Sequence, residues 1–151
     1  MSDPFKTRRE PFRTVTSMTP RLSAFGIVCR DLARTLDFYR ALGVDIPADA
    51  ADAPHVEVAL PGGLRLLFDD VATVQSFDPT WTPPTGGPPT GIAFECEGPE
   101  DVDKAYAAMV DAGFDGHKEP WDAFWGQRYA MLHDPEGNGV DLFAALPTEG
   151  S

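Results

Sequence analysis

The sequence predicts an α+β fold in which one unit occurs twice within a single domain. Residues 24–68 run strand, helix ending in Leu42-Gly43, then two alternating apolar strands joined at Pro61-Gly62-Gly63. Residues 91–144 repeat that order, with a helix ending in Ala112-Gly113 and strands joined by Asp134-Pro135-Glu136-Gly137-Asn138-Gly139. The chain has 151 residues, and two copies of roughly 50 residues are each too small to bury a core alone, so they are expected to share one.

The elements follow in order. Residues 1–20 are polar, lack periodicity and contain three prolines; they read as a flexible arm or as a segment ordered only against a partner subunit. The first module spans 21–75. Its first strand presents Phe25, Ile27 and Cys29 on one face, and its helix carries Leu32, Leu36 and Tyr39 on a stripe, with Asp31 as N-cap and Gly43 just past the end. Residues 76–90 hold five prolines and form a stiff Pro/Gly linker. Trp81 in its middle is read either as core packing or as part of a ligand site. The second module spans 91–146. Ile92, Phe94 and Cys96 face the core, and the helix places Pro99 at its first position and Val102, Tyr106, Met109 and Val110 on its apolar stripe. The helices match at an offset of 70 residues and the first strands at 67, so a three-residue insertion is expected between strand and helix of the second copy.

Alternation also assigns a second face. Val56, Val58 and Leu60, then Leu64, Leu66 and Phe68, then Val140, Leu142 and Ala144 are apolar and face the helices. The opposite face reads Ala24, Gly26, Val28; His55, Glu57, Ala59; Arg65, Leu67; Gly91, Ala93, Glu95; Asp141, Phe143. Small residues mixed with charges do not fill a core, so this face is expected to line a cavity. The phase of strand 126–133 is not fixed by alternation.

Arg30-Asp31-Leu32, Asp37-Phe38-Tyr39 and Leu42-Gly43 resemble the first-module signature of the vicinal oxygen chelate superfamily. Trp125-Gly126-Gln127-Arg128-Tyr129-Ala130 leading into Asp134-Pro135-Glu136-Gly137-Asn138 resembles its second. The resemblance covers residues 21–146. It implies two tandem βαβββ modules forming a curled mixed-sheet cup (the glyoxalase/bleomycin resistance fold), often in a homodimer with sites between subunits. Metal-using members carry ligands on the cavity face of four strands, and those positions fall on Ala24, Arg65, Gly91 and Asp141. Alanine and glycine offer no donor and a guanidinium repels a cation, while a divalent transition metal needs about three protein ligands. No metal and no cofactor are therefore expected.

The non-enzymatic branch of that family then becomes the leading expectation. The resemblance to bleomycin-resistance-type proteins implies a metal-free binder that sequesters a bulky, cationic natural product or antibiotic. Residues assigned to such a site are Trp81, Glu95, Trp121, Phe124, Trp125, Tyr129, Arg65, Asp141 and Phe143, with Trp121 and Trp125 placed in a loop rich in Gly and Pro. Aromatic faces bind flat or cationic groups by stacking and cation–π contact. Arg65 and Asp141 are read as a salt bridge or as a clamp for a carboxylate-bearing ligand, which pulls against a cationic one. The enzymatic alternative is a glyoxalase- or dioxygenase-like lyase, isomerase or transferase, using His55 and Glu57 with Glu95 and Asp141 as an off-pattern metal site or acid/base pair. His117 is read as a solvent-exposed loop residue, and His133 as a local hydrogen-bonding group.

The bulk properties narrow the partners. Twenty-four acidic against twelve basic residues give a net charge of −12, and the first twenty residues are locally +2, leaving −14 for the remainder. Such a body repels phosphate backbones, so nucleic acid is not expected. Its charge suits either a solvated surface or a cationic partner. Cys29 and Cys96 sit five residues after Ala24 and Gly91, with no CxxC spacing, and read as equivalent reduced thiols of a cytoplasmic protein. No apolar run approaches the ~18 residues of a membrane span, and no signal-peptide core opens the chain.

Overall fold

The computed structural model describes residues 20–87 and 91–148. The arm at 1–20 therefore lies, but for its last residue, outside the described residues, as do the last three positions of the linker. The first module comprises β1 (Ala24–Cys29), α1 (Leu32–Ala41), a 3-10 turn (Ala50–Asp52), β2 (His55–Ala59), β3 (Arg65–Asp70) and a short α2 (Val71–Phe77). The second comprises β4 (Gly91–Glu95), α3 (Pro99–Asp111), β5 (Asp115–Ala123), β6 (Gln127–His133) and β7 (Gly139–Ala145). Two mixed sheets result, in the orders β1-β3-β2 and β4-β7-β6-β5, with β1–β3 and β4–β7 parallel and the other pairs antiparallel. This is the α+β architecture of two tandem modules that the sequence predicts.

The helix ends follow from local chemistry. The Asp31 carboxylate accepts from Arg34 N at 3.1 Å, capping α1. Gly43 and Gly113 take φ of 103° and 90° just past α1 and α3, where a residue with a Cβ would be strained. Pro99 occupies the first turn of α3, where its missing N–H is not required. The apolar stripes bury Leu36, Phe38 and Tyr39 from α1 and Val102 and Met109 from α3 against Leu66, Phe68, Leu132, Val140 and Leu142 of the sheets.

One core serves both modules. The Phe38 ring meets Phe114 edge-on at 5.2 Å, and Tyr39 lies between Phe68 of its own module and Phe94 of the other. The Tyr39 hydroxyl donates at 2.6 Å to Asp134, which is 3% exposed and also accepts from Glu136 N, Asn138 N and Asn138 Nδ2. Glu136 in turn accepts from Arg30 Nε, Asp31 N and Thr35 Oγ1. The Asp134–Asn138 turn of the second module is thus bonded to the start of α1 in the first.

Three expectations are corrected. Strand register places Ala24 opposite Arg65, and Ala93, not Gly91, opposite Asp141. If Arg65 and Asp141 correspond, the first strands correspond at an offset of 69, and the insertion before α3 is one residue rather than three. Cys29 and Cys96 are then not equivalent: Cys29 is fully buried, whereas Cys96 follows β4 and is half-buried. Residues 115–123 form a strand rather than a loop, so Trp121 and His117 lie on β5. The matching stretch of the first module, 44–54, holds only the 3-10 turn, because Pro47 and Pro54 cannot donate to a ladder.

Candidate functional site

On both sheets the face away from the helices is open, as the alternation predicts. In the second module strand register aligns four side chains across that face: Trp121 opposite Tyr129, Tyr129 opposite Phe143, and Phe143 opposite Glu95. Tyr129 packs edge-on against Trp121 at 5.5 Å and Trp125 at 5.3 Å, and lies nearly parallel to Phe143 at 6.4 Å. Trp125 also meets Trp121 and Phe124, and its Nε1 donates to Gln127 Oε1 at 2.8 Å. Phe124, at the tip of the β5–β6 hairpin, is 96% exposed. Gly126, with φ of 91°, permits the tight reversal that sets Trp125 beside Tyr129. Next to this row runs a second, formed by Lys118, Met131, Asp141 and Ala93.

The electrostatics of this face are mixed. The Tyr129 hydroxyl donates to Asp141 Oδ2 at 2.5 Å, and burial, then the Asp141 bond and charge, push its pKa up to about 12. Tyr129 therefore keeps its proton at neutral pH and holds Asp141 in place. Lys118 Nζ sits 3.9 Å above the Trp121 ring, so the β5 end of the row is already covered by a cation. Glu95 is exposed at the other end.

The first module's open face is a ladder of charges rather than rings. His55 Nδ1 contacts Asp69, directly opposite it, and His55 Nε2 lies 3.5 Å from Glu57. Arg65 pairs with Glu57 and donates from Nη2 to Ser23 Oγ at 3.1 Å. The bond to Asp69 holds the His55 ring above its ordinary pKa, against a smaller opposing effect of burial. Arg65 and Asp141 are each committed to other partners, which overturns the salt bridge expected between them.

The four positions that the family's metal chemistry requires do not fit a metal. By register they are Ala24, Arg65, Ala93 and Asp141, which supply one carboxylate, itself bonded to Tyr129. Among the described residues no group of three or more His, Cys, Asp or Glu side chains is arranged to hold an ion.

Of the predicted site residues, the structure brings together Glu95, Trp121, Phe124, Trp125, Tyr129, Asp141 and Phe143. His55, Glu57 and Arg65 form the separate ladder. Trp81 joins neither; it lines a cleft of about 230 Å³ along β1 with Arg30, Pro83, Pro84, Glu136 and Asn138. Lys118 does not stand out in the sequence, because nothing local marks the segment that carries it as a strand. His133 Nδ1 lies 3.4 Å from Asp115, and its ring stacks on His117 at 4.2 Å.

Comparison with known proteins gives one consistent result. Residues 21–142 match the family described as Glyoxalase/Bleomycin resistance protein/Dioxygenase superfamily. A glyoxalase/bleomycin resistance protein/dioxygenase from Nocardioides has a similar structure, with TM-score 0.70 and 23% identity over 96% of this chain and 95% of that one. A family enzyme from Burkholderia phytofirmans PsJN gives 0.72 and 22% over 84% and 100%. Lactoylglutathione lyase from Agrobacterium tumefaciens gives 0.58 and 18% over 83% and 94%. At these identities the likeness shows the fold alone. No curated protein matches the chain.

Proposed function

The chain belongs to the glyoxalase/bleomycin resistance protein/dioxygenase superfamily, and from that premise we propose that it is a metal-free small-molecule-binding protein that sequesters a bulky, flat, cationic natural product or antibiotic. The observation that carries this reading is the row Trp121–Tyr129–Phe143, which ends in Glu95 and is flanked by Asp141. Adjacent strands lie about 4.8 Å apart, so three aromatic positions in a row offer a platform for a fused ring system. Glu95 and Asp141 then meet a cation carried at its β4 end, while Lys118 already serves the β5 end. Stacking and cation–π contacts of about 0.5–2 kcal/mol each add to the burial of ring surface. In this reading the protein works in the cytoplasm as a homodimer, and neither nucleic acid nor membrane is a partner. Among the described residues no helix is long and apolar enough to cross a membrane.

Tryptophan fluorescence titration with bleomycin and other cationic antibiotics tests the proposal. Saturable quenching is expected for the wild type and is lost in Trp121→Ala. Absence of quenching across a broad panel would leave sequestration without support. Sedimentation velocity at micromolar protein checks the dimer.

The contact of His55 with Asp69 favours a second reading: an enzyme of lyase, isomerase or transferase type in which the His55–Asp69 pair moves a proton, with Glu57 beside it. Turnover in a panel of glyoxalase- and dioxygenase-type assays, abolished by His55→Asn, would select it over sequestration.

A further inference from the structure

The Trp81 cleft shares no lining residue with the aromatic row, and it is built differently. Trp81, Pro83 and Pro84 line it together with the backbone of β1, which among the described residues is an edge strand of its sheet. Above Gly26 the space is open: no heavy atom of the described residues lies within 4 Å of where a Cβ would stand. At about 230 Å³ the cleft is smaller than the ~300–1,000 Å³ of sites for drug-sized ligands, so its occupant is one or two fused rings.

The polar rim defines the chemistry of that ring. The Glu136 side chain, only 5% exposed, holds Arg30 through Nε at 3.2 Å. Among the described residues the two terminal nitrogens of Arg30 have no partner, so the guanidinium presents donors. Asn138 also lines the cleft; its Nδ2 is committed to Asp134 at 2.9 Å and its backbone carbonyl to Asp134 N, which among the described residues leaves the side-chain Oδ1 as an acceptor. One donor edge and one acceptor beside an indole face match a ring with adjacent C=O and N–H groups. A carboxylate is disfavoured, because Glu136 already neutralises Arg30 and the chain carries −12. We propose that this cleft is a second binding site, taking a neutral planar lactam or carboxamide ring stacked on Trp81.

Isoquinolin-1(2H)-one, a two-ring lactam, is the probe, followed by saturation-transfer NMR and calorimetry on the full chain. Saturable binding is expected. Trp81→Ala and Gly26→Val, the latter filling the cleft without backbone strain, should each weaken it about tenfold or more, whereas Trp81→Phe keeps most of it. Trp121→Ala should leave it unchanged, which separates this site from the aromatic row and keeps the two proposals independently testable. The N-methyl analogue, which lacks the N–H for Asn138, should bind about fivefold more weakly or worse. Lack of saturable binding to the wild type overturns the proposal, as does equal binding by Gly26→Val. Loss on Trp121→Ala in place of Trp81→Ala also overturns it, and equal binding of the N-methyl compound overturns the lactam assignment.

Discussion

Tyr39 buries a hydroxyl to reach a carboxylate that is itself buried, and both groups depend on the bond. Burial and the charge of Asp134 push the phenol far above its ordinary pKa, so it donates at every physiological pH. Tyr39→Phe removes that donor while Asp134 keeps its three other bonds. The expected cost is about 1.5–3 kcal/mol, as for a hydrogen bond to a charged group, read from urea unfolding. An unchanged midpoint would mean that the turn, and not Tyr39, satisfies Asp134. His55 makes a pH-dependent contribution of opposite character. Its folded pKa is raised by Asp69, so its stabilisation is fully present below the unfolded value of about 6.5 and is lost as pH rises through the folded value. The ring is about half exposed, so the effect falls within the ~0.2–1 kcal/mol of exposed pairs. His55→Asn should therefore lower Tm more at pH 5.5 than at pH 9; a deficit that does not change with pH would contradict this. Cys29, pushed up to about 12 by burial and next by the charge of Glu136, has no thiolate to offer at neutral pH.

At the scale of elements, β5 shows where the sequence stops being readable. Asp115-Gly116-His117-Lys118-Glu119-Pro120 lacks β-branched residues and alternation, so nothing local marks it as a strand. It is a strand because β6 supplies the ladder on one side, and its register slips at Gly116–Lys118 and again before Trp121, as an edge strand containing proline must. The helices, by contrast, were legible to their caps, since Asp31, Gly43, Pro99 and Gly113 act through backbone chemistry that neighbours do not change. The aromatic row was legible by residue type but not by placement, because the phase of β6 is set by β7. Trp81 stands apart from that row, because sequence cannot say which wall a linker crosses. Gly116 gives the element a test. A Cβ there would stand 2.9 Å from Val110 Cγ2 and closer still to the Tyr106 hydroxyl, so α3 packs on β5 only because this residue has no side chain. Gly116→Ala should destabilise by about 1–3 kcal/mol through overpacking. Tyr106→Leu in the same chain should recover part of that loss, and no recovery would locate the clash at Val110.

For the whole molecule, the question is whether two copies of one unit behave as two folding units. Each sheet is small, with three and four strands, and α1 buries residues against both modules at once. Phe38 meets Phe114, Tyr39 meets Phe94 and Asp134, and Arg34 Nη2 donates to the Gly113 carbonyl at 3.2 Å while its guanidinium lies over Phe114. Neither module can keep these contacts if the other unfolds, so unfolding should be a single two-state transition. Far-UV circular dichroism reports both modules, whereas in a Trp81→Phe background the fluorescence of Trp121 and Trp125 reports the second, and the two signals should share one midpoint. Phe38→Ala empties a fully buried ring site at the junction and should cost about 3–5 kcal/mol, moving both probes together. If the fluorescence midpoint stayed in place while part of the dichroism shifted, the second module would fold on its own. The shared core would then be a docking surface between two independent halves. The same experiment bears on ligand binding, because a ligand seated on the Trp121–Tyr129–Phe143 row stabilises whatever cooperative unit contains that row. With one unit, saturating ligand raises the midpoint of both probes equally, and the first module gains stability from a ligand it does not touch.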